Sequence, residues 1–150
     1  MTTFYNLLDN IKATLAANPF VNTITYGDIF DVDKDKHTMY PLSHFLVNSA
    51  NYSGATWTFD LSVICMDIVD VSKARVDEFT KNTNEHDVFN TQLSVINDLL
   101  DNLRKGSLAD AGYQINGSPS VEAFVDRFAD EVAGWTLTMQ IDVRNDYSLC

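Results

Sequence analysis

WTFDLSVICMD, residues 57–67, places Trp57, Phe59, Leu61, Val63 and Cys65 on one face of an extended chain and Thr58, Asp60 and Ser62 on the other. Past Ser62 the second face also turns apolar, through Ile64, Met66 and Ile68, so the strand is predicted to be half exposed at its start and covered on both faces at its end. WTLTMQIDVRN, residues 135–145, opens with the same two residues and keeps the same period: Trp135, Leu137, Met139, Ile141 and Val143 oppose Thr136, Thr138, Gln140 and Asp142. Two strands with one alternation suit an antiparallel sheet with helices on one face and a polar second face. An internal duplication would also produce such a pair, but the repeat is short and generic.

Working outward, residues 3–17 set Phe4, Leu7, Leu8, Ile11 and Leu15 at helical spacing, and Asn18-Pro19 ends that helix because the residue before a proline is pushed out of the helical region. VNTITYGDIF, residues 21–30, reads as a strand breaking at Gly27-Asp28, and a polar loop follows at 31–37. Residues 39–50, with Pro41 near the start, read as another strand, and NYSG at 51–54 supplies a turn. The polar connector that includes residues 71–83 suits a short helix or a flexible arm. A second long helix is predicted from an Asn84 N-cap, with Glu85 and Asp87 in its first turn and Arg104 and Lys105 in its last before Gly106. Its buried stripe is Phe89, Leu93, Ile96, Leu100 and Leu103, widened by Val88, Val95 and Leu99. In residues 113–128 the turn chemistry of Asn116-Gly117-Ser118-Pro119 predicts a hairpin, or a strand, turn and strand. The order of helix, strands, long helix and strands gives an α+β fold over 1–150: one domain, a mainly antiparallel sheet, and helices packed on one face.

The 150 residues are enough for one domain with a core and few for two, and 45% hydrophobic with 21% charged is ordinary globular composition. No apolar run approaches the roughly 20 residues of a membrane span, and MTTFYNLLDN does not read as a signal peptide, so synthesis in a cytosol is expected. Cys65 and Cys150 have neither a CxxC nor a metal-like spacing, which fits a reducing compartment. The net charge of -11 is uneven: residues 1–75 carry 8 acids and 5 bases, residues 76–150 carry 13 and 5. Such a surface does not hold DNA, which needs clustered Lys and Arg; it suits a solvated exterior, or a passage that nucleic acid must cross without sticking.

The candidate chemistry fails residue by residue. Asp31, Asp33 and Asp35 have the alternate spacing that opens a calcium loop, but Lys36 stands where the glycine of the sharp turn is needed and Leu42 where the bidentate Glu belongs. His37, His44 and His86 have no HxH or HExxH relation, and a zinc site would need them to converge with Cys65 or a carboxylate. Cys65, on the Trp57 face of a strand, reads as a small buried hydrophobe rather than a nucleophile. No glycine-rich phosphate loop occurs. Trp57 and Trp135 could stack bases, yet the charges around them are mainly acidic, which favours core or subunit-interface packing. The expectation is therefore a non-enzyme with no catalytic, cofactor-binding or metal residues.

The block YPLSHFLVNSANYSGATWTFDLSVICMDIVD, residues 40–70, together with the last strand from Gly134 to Asn145, resembles the tail-terminator and neck (head-tail joining) proteins of tailed bacteriophages. The order of elements is similar too: an N-terminal helix, a strand near a Tyr-Pro step, a polar turn, a long alternating strand opening near a Trp, a long helix at 85–105 and a closing strand at 133–144. The resemblance implies a structural virion protein, made in the host cytoplasm, that forms a ring of six or twelve copies at the head-proximal end of the tail or in the neck. Its partners would be neighbouring neck, tail-tube or portal-adaptor proteins, with genomic DNA passing through unbound and no membrane. Closed rings use heterologous contacts, for which sheet edges and arms such as residues 71–83 are suitable, and an acidic lumen would let DNA slide. The rival readings are a small ligand-binding or enzymatic α+β domain using the sheet's concave face, and an adaptor that binds by strand addition.

Overall fold

The two Trp-Thr stretches are neighbours in space. A computed structural model describes residues 3–27, 40–69, 85–126 and 132–145. Its elements are α1 (Thr3–Ala16), β1 (Thr23–Tyr26), β2 (Leu42–Tyr52), β3 (Thr56–Ile68), α2 (Glu85–Lys105), α3 (Ser107–Asp110), β4 (Gln114–Asp126) and β5 (Val132–Arg144). The strands form one sheet in the order β1-β2-β3-β5-β4, with β1 parallel to β2 and every other pair antiparallel. The fold class is α+β, as the alternation predicts. The loop at 31–37, the connector at 71–83, the Asn84 cap and the tail after Asn145 lie outside the described residues.

β3 and β5 pair over their whole lengths, from Thr56 opposite Arg144 to Ile68 opposite Val132. Phe59 faces Ile141, Leu61 faces Met139 and Val63 faces Leu137, so the two apolar faces merge into one. That face carries the main core: Phe59, Leu61, Val63, Cys65, Leu137, Met139 and Ile141 are buried against Leu7, Ile11 and Leu15 of α1 and Val95, Ile96, Leu99 and Leu103 of α2. The period of 2 on the strands and of 3.6 on the helices meet here, and the removal of this apolar surface from water is the main stabilising term. Hydrogen bonds tie the periphery: Asn10 donates to the Tyr113 hydroxyl at 2.9 Å, and the Asn18 side chain accepts from the Phe20 N–H at 2.9 Å.

The other sheet face is divided. At the β3 C-terminal end Tyr40, Leu42, Met66 and Val132 form a second buried cluster, with Ile64, Ile68 and Phe124 packed on it. At the other end Thr58 donates to Asp142 at 2.6 Å, Asn116 donates to the same carboxylate oxygen at 3.2 Å, and Asn48 donates to Ser62 at 2.8 Å. The switch of this face from polar to apolar beyond Ser62 is as expected. A close backbone approach accompanies it: a β-carbon on Gly134 would overlap the Cys65 carbonyl oxygen and stand 2.8 Å from the Met66 α-carbon.

Three expectations are corrected. Residues 114–126 form one strand rather than a hairpin, because Gly117, Ser118 and Pro119 are taken up as a bulge between Asn116, opposite Gln140, and Ser120, opposite Thr138. Gly117 has φ +73, a conformation cheap only for glycine, and a proline without an N–H is tolerated in a bulge on an edge strand. The buried stripe of α2 is rotated from the expected one: Val88, Gln92, Val95, Ile96, Leu99 and Leu103 are buried, whereas Leu93 is 40% exposed. The second strand runs on to Tyr52, so that the turn falls at Ser53–Ala55, where Gly54 takes φ +81.

Candidate functional site

The residues weighed for chemistry are kept apart by the fold. His44 lies opposite Ile64 and Cys65 opposite Ser43, which puts the imidazole and the thiol on opposite faces of the sheet. His44 is buried and fully bonded. Its Nε2 is 2.8 Å from the Gly27 carbonyl oxygen, so it carries a proton and donates there, leaving Nδ1 to accept from the Thr25 hydroxyl at 2.7 Å. These bonds hold β1 against β2. His86 is exposed in the first turn of α2. Burial pushes the Cys65 thiol up to about 11, against a small opposing effect of the Ser43 hydroxyl 3.6 Å away; a thiol held protonated in this way is a packing residue. Leu42, where a calcium loop would need its bidentate Glu, is buried in the second cluster. Asp31, Asp33, Asp35, Lys36 and His37 lie outside the described residues. Among the described residues no group of three or more His, Cys, Asp or Glu side chains converges, and no helix is long and apolar enough to cross a membrane.

Asp67 is raised from its ordinary value by half-burial, and the bond its carboxylate accepts from the Ile68 N–H at 2.8 Å opposes this only in part. On the polar half of the outer face one carboxylate oxygen of Asp60 is buried without a hydrogen-bond partner; in the buried stripe of α2 the Gln92 amide has both its nitrogen and its oxygen unpartnered.

The features that stand out are at the surface. Residues 48–55, at the tip of the hairpin of β2 and β3, are exposed without a break. An aromatic chain runs back from this tip. Tyr52 packs on Trp57 with ring centroids 5.1 Å apart, Trp57 stacks on Phe59 at 6.3 Å, and Phe59 meets Phe4 of α1 at 5.7 Å. Tyr52 is 66% exposed and Tyr5, beside Phe4, is 69% exposed. Phe4, Val47, Ala50, Trp57 and Phe59 line an open apolar cleft of about 380 Å3. Asn145, at the end of β5, fastens the turn of the hairpin by donating its backbone N–H to the Ala55 carbonyl at 2.8 Å and its side-chain amide to that of Gly54 at 3.0 Å.

At the same end of the sheet, beside the edge strand β4, is a larger groove of about 740 Å3, bounded by the last turns of α2, by α3 and by the bulged start of β4. Leu100, Leu103, Tyr113, Ile115 and Pro119 give it apolar lining, and Asp101 and Arg104 give it charge. Sequence reading missed both features, because the alternation of β3 runs unchanged from its buried middle to Trp57 and does not mark where the helices stop. The absence of charge from His37 to Phe59 was the available signal for the first. No protein-family model matches this sequence, and no curated protein matches it significantly.

Proposed function

We propose that this chain is a structural virion protein of a tailed bacteriophage, forming a ring at the head-proximal end of the tail or in the neck, where it terminates or joins the tail tube while DNA passes through. One observation carries the reading. The described residues of the blocks 40–70 and 134–145, on which the resemblance to tail-terminator and neck proteins rests, come together as the three central strands β2, β3 and β5, β3 and β5 pairing without interruption and β2 and β3 with one shift of register between Val47 and Ser49. The similarity therefore follows one contiguous structural unit rather than scattered matches.

Two further features favour a ring. The exposed hairpin and the groove are two different surfaces at one end of the sheet, with β5 between them, and contacts between unlike surfaces are what repeated head-to-tail association requires. The net charge of -11 suits a lumen crossed by DNA, since a basic lining would bind phosphates and need salt to release them. Neighbouring neck, tail-tube or portal-adaptor proteins would be its partners. The test is to locate the chain in purified phage particles by mass spectrometry and electron microscopy. A ring at the head-tail junction with acidic residues in excess on its lumen is expected. A ring lined mainly by Lys and Arg would reject the slippery passage, and absence of the protein from the particle would reject the function.

A further inference from the structure

We infer that the uncharged tip of the β2–β3 hairpin is a self-association surface, and that its occupant is the α2–β4 groove of a second copy of this chain. The inference specifies a joint for the proposed ring and to that extent rests on the ring reading. It starts from charge. Asp, Glu, Lys and Arg make up 21% of the chain, yet none occurs between His37 and Phe59, and the exposed residues 48–55 lie within that interval. Two copies that each carry -11 repel one another, so they associate best through surface that brings no further negative charge into the contact. Contact cores between proteins are depleted in charge and enriched in Tyr and Trp, and Tyr52 and Trp57 occupy the tip and its base.

The groove is a suitable receptor. Its apolar lining from Leu100, Ile115 and Pro119 can take an aromatic ring, and Asp101 and Arg104 can bond the amide and hydroxyl groups of Asn51 and Ser53. Tip and groove lie at the same end of the sheet with β5 between the hairpin and β4, so a copy does not seat its tip in its own groove. The contact is heterologous and each added copy leaves one free tip and one free groove until a ring closes.

The experiment uses full-length chains carrying Cys150→Ser, with buried Cys65 left in place. Tyr52→Cys is made in one chain and Ser118→Cys in another, both at exposed positions. Mild oxidation of the mixture, at the highest concentration solubility allows, is expected to give the mixed disulfide in preference to either homodimer. The double variant is expected to give a ladder of linked copies. Sedimentation should show Tyr52→Ala weakening self-association by about tenfold or more, as for an aromatic hot spot, with Phe20→Ala, exposed in the turn after α1, leaving it unchanged. Preferential Tyr52→Cys homodimers would mean a two-fold contact and overturn the inference. So would association indifferent to Tyr52→Ala, or chains that stay monomeric at every concentration. Electron microscopy separates the two readings: rings whose copies do not link through positions 52 and 118 refute the joint and keep the ring, whereas linked open filaments keep the joint and refute the ring.

Discussion

Trp57 and Trp135 stand in the same local context, on the same face of the same pair of strands, yet they live in different surroundings. Because β3 and β5 are antiparallel, the two rings lie at opposite ends of the pair: Trp57 is beside Val143, and Trp135 is beside Cys65. The first turn of α2 covers the Trp135 end. There the indole Nε1–H donates to the Phe89 carbonyl at 2.8 Å and the two rings meet edge to face at 5.6 Å. At the other end Trp57 has Tyr52 and Phe59 as ring neighbours and lines an open cleft with Phe4 from the start of α1. The pattern within a strand chooses a face, and the helix laid over that face decides which part of it becomes core. What remains uncovered is available to a partner.

The largest effect should come at the covered end. Gly134 precedes Trp135 and lies against the backbone of Cys65 and Met66, so Gly134→Ala must push β5 away from β3. Overpacking of this kind against backbone should cost about 3 kcal/mol or more, read as a fall in the urea midpoint. A loss under about 1 kcal/mol would mean that the two strands approach less closely than described.

Phenylalanine replacements at the two tryptophans compare the ends directly. Trp135→Phe keeps an aromatic ring but loses the donor to Phe89, and should cost about 1–2 kcal/mol including lost packing. Trp57→Phe keeps its ring neighbours and should cost less than about 1 kcal/mol in the same denaturation experiment. Equal losses would mean that the two environments are energetically alike, and the comparison would fail.

Gln92 sharpens the covered end in the opposite direction. Its amide is buried with no partner at either polar atom, while a methionine of similar shape would need none. Gln92→Met should stabilise the fold by about 1 kcal/mol, because an unsatisfied buried group costs about that much or more. Destabilisation would show that the amide is satisfied in solution, for instance by buried water.

How much of this was legible depends on what kind of information each feature needs. The core faces of β3 and β5 are written in their alternation, and the stripe of α1 in its 3.6-residue spacing. Strand direction is not: nothing in Thr23–Tyr26 distinguishes parallel from antiparallel pairing with β2, and the pairing found is parallel. Gly117 and Pro119 are residues of turn and bulge alike, and pairing with β5 on both sides made them a bulge. On α2 both Gln92 and Leu93 fit a helix; hydropathy prefers Leu93 inside, but the continuous row Val88, Val95, Ile96, Leu99 and Leu103 fixes the rotation and takes Gln92 in with it. The surface features needed knowledge of where the helices stop, which no window of sequence contains.

The smallest effect concerns Asp67, two residues beyond Cys65 on the covered end of β3. Its half-buried carboxyl is raised above its ordinary value by desolvation. A group with this direction of shift binds a proton more readily in the folded chain than in the unfolded one, so its contribution to stability is greatest at acid pH and falls as the pH rises through the folded value. At neutral pH the ionised side chain is a small net cost, since the Ile68 N–H compensates only part of the burial. Asp67→Asn keeps an oxygen to accept that bond and removes the charge. It should raise Tm at pH 7 by roughly a degree or two, the shift discounted because the group is partly solvated. The gain should shrink toward zero below about pH 4, where the native carboxyl is itself protonated. A variant less stable than the parent at pH 7, or a gain that does not vary with pH, would show that the carboxylate is stabilised by its surroundings, and that the covered end of the sheet is wetter than the packing of Trp135 against Phe89 implies.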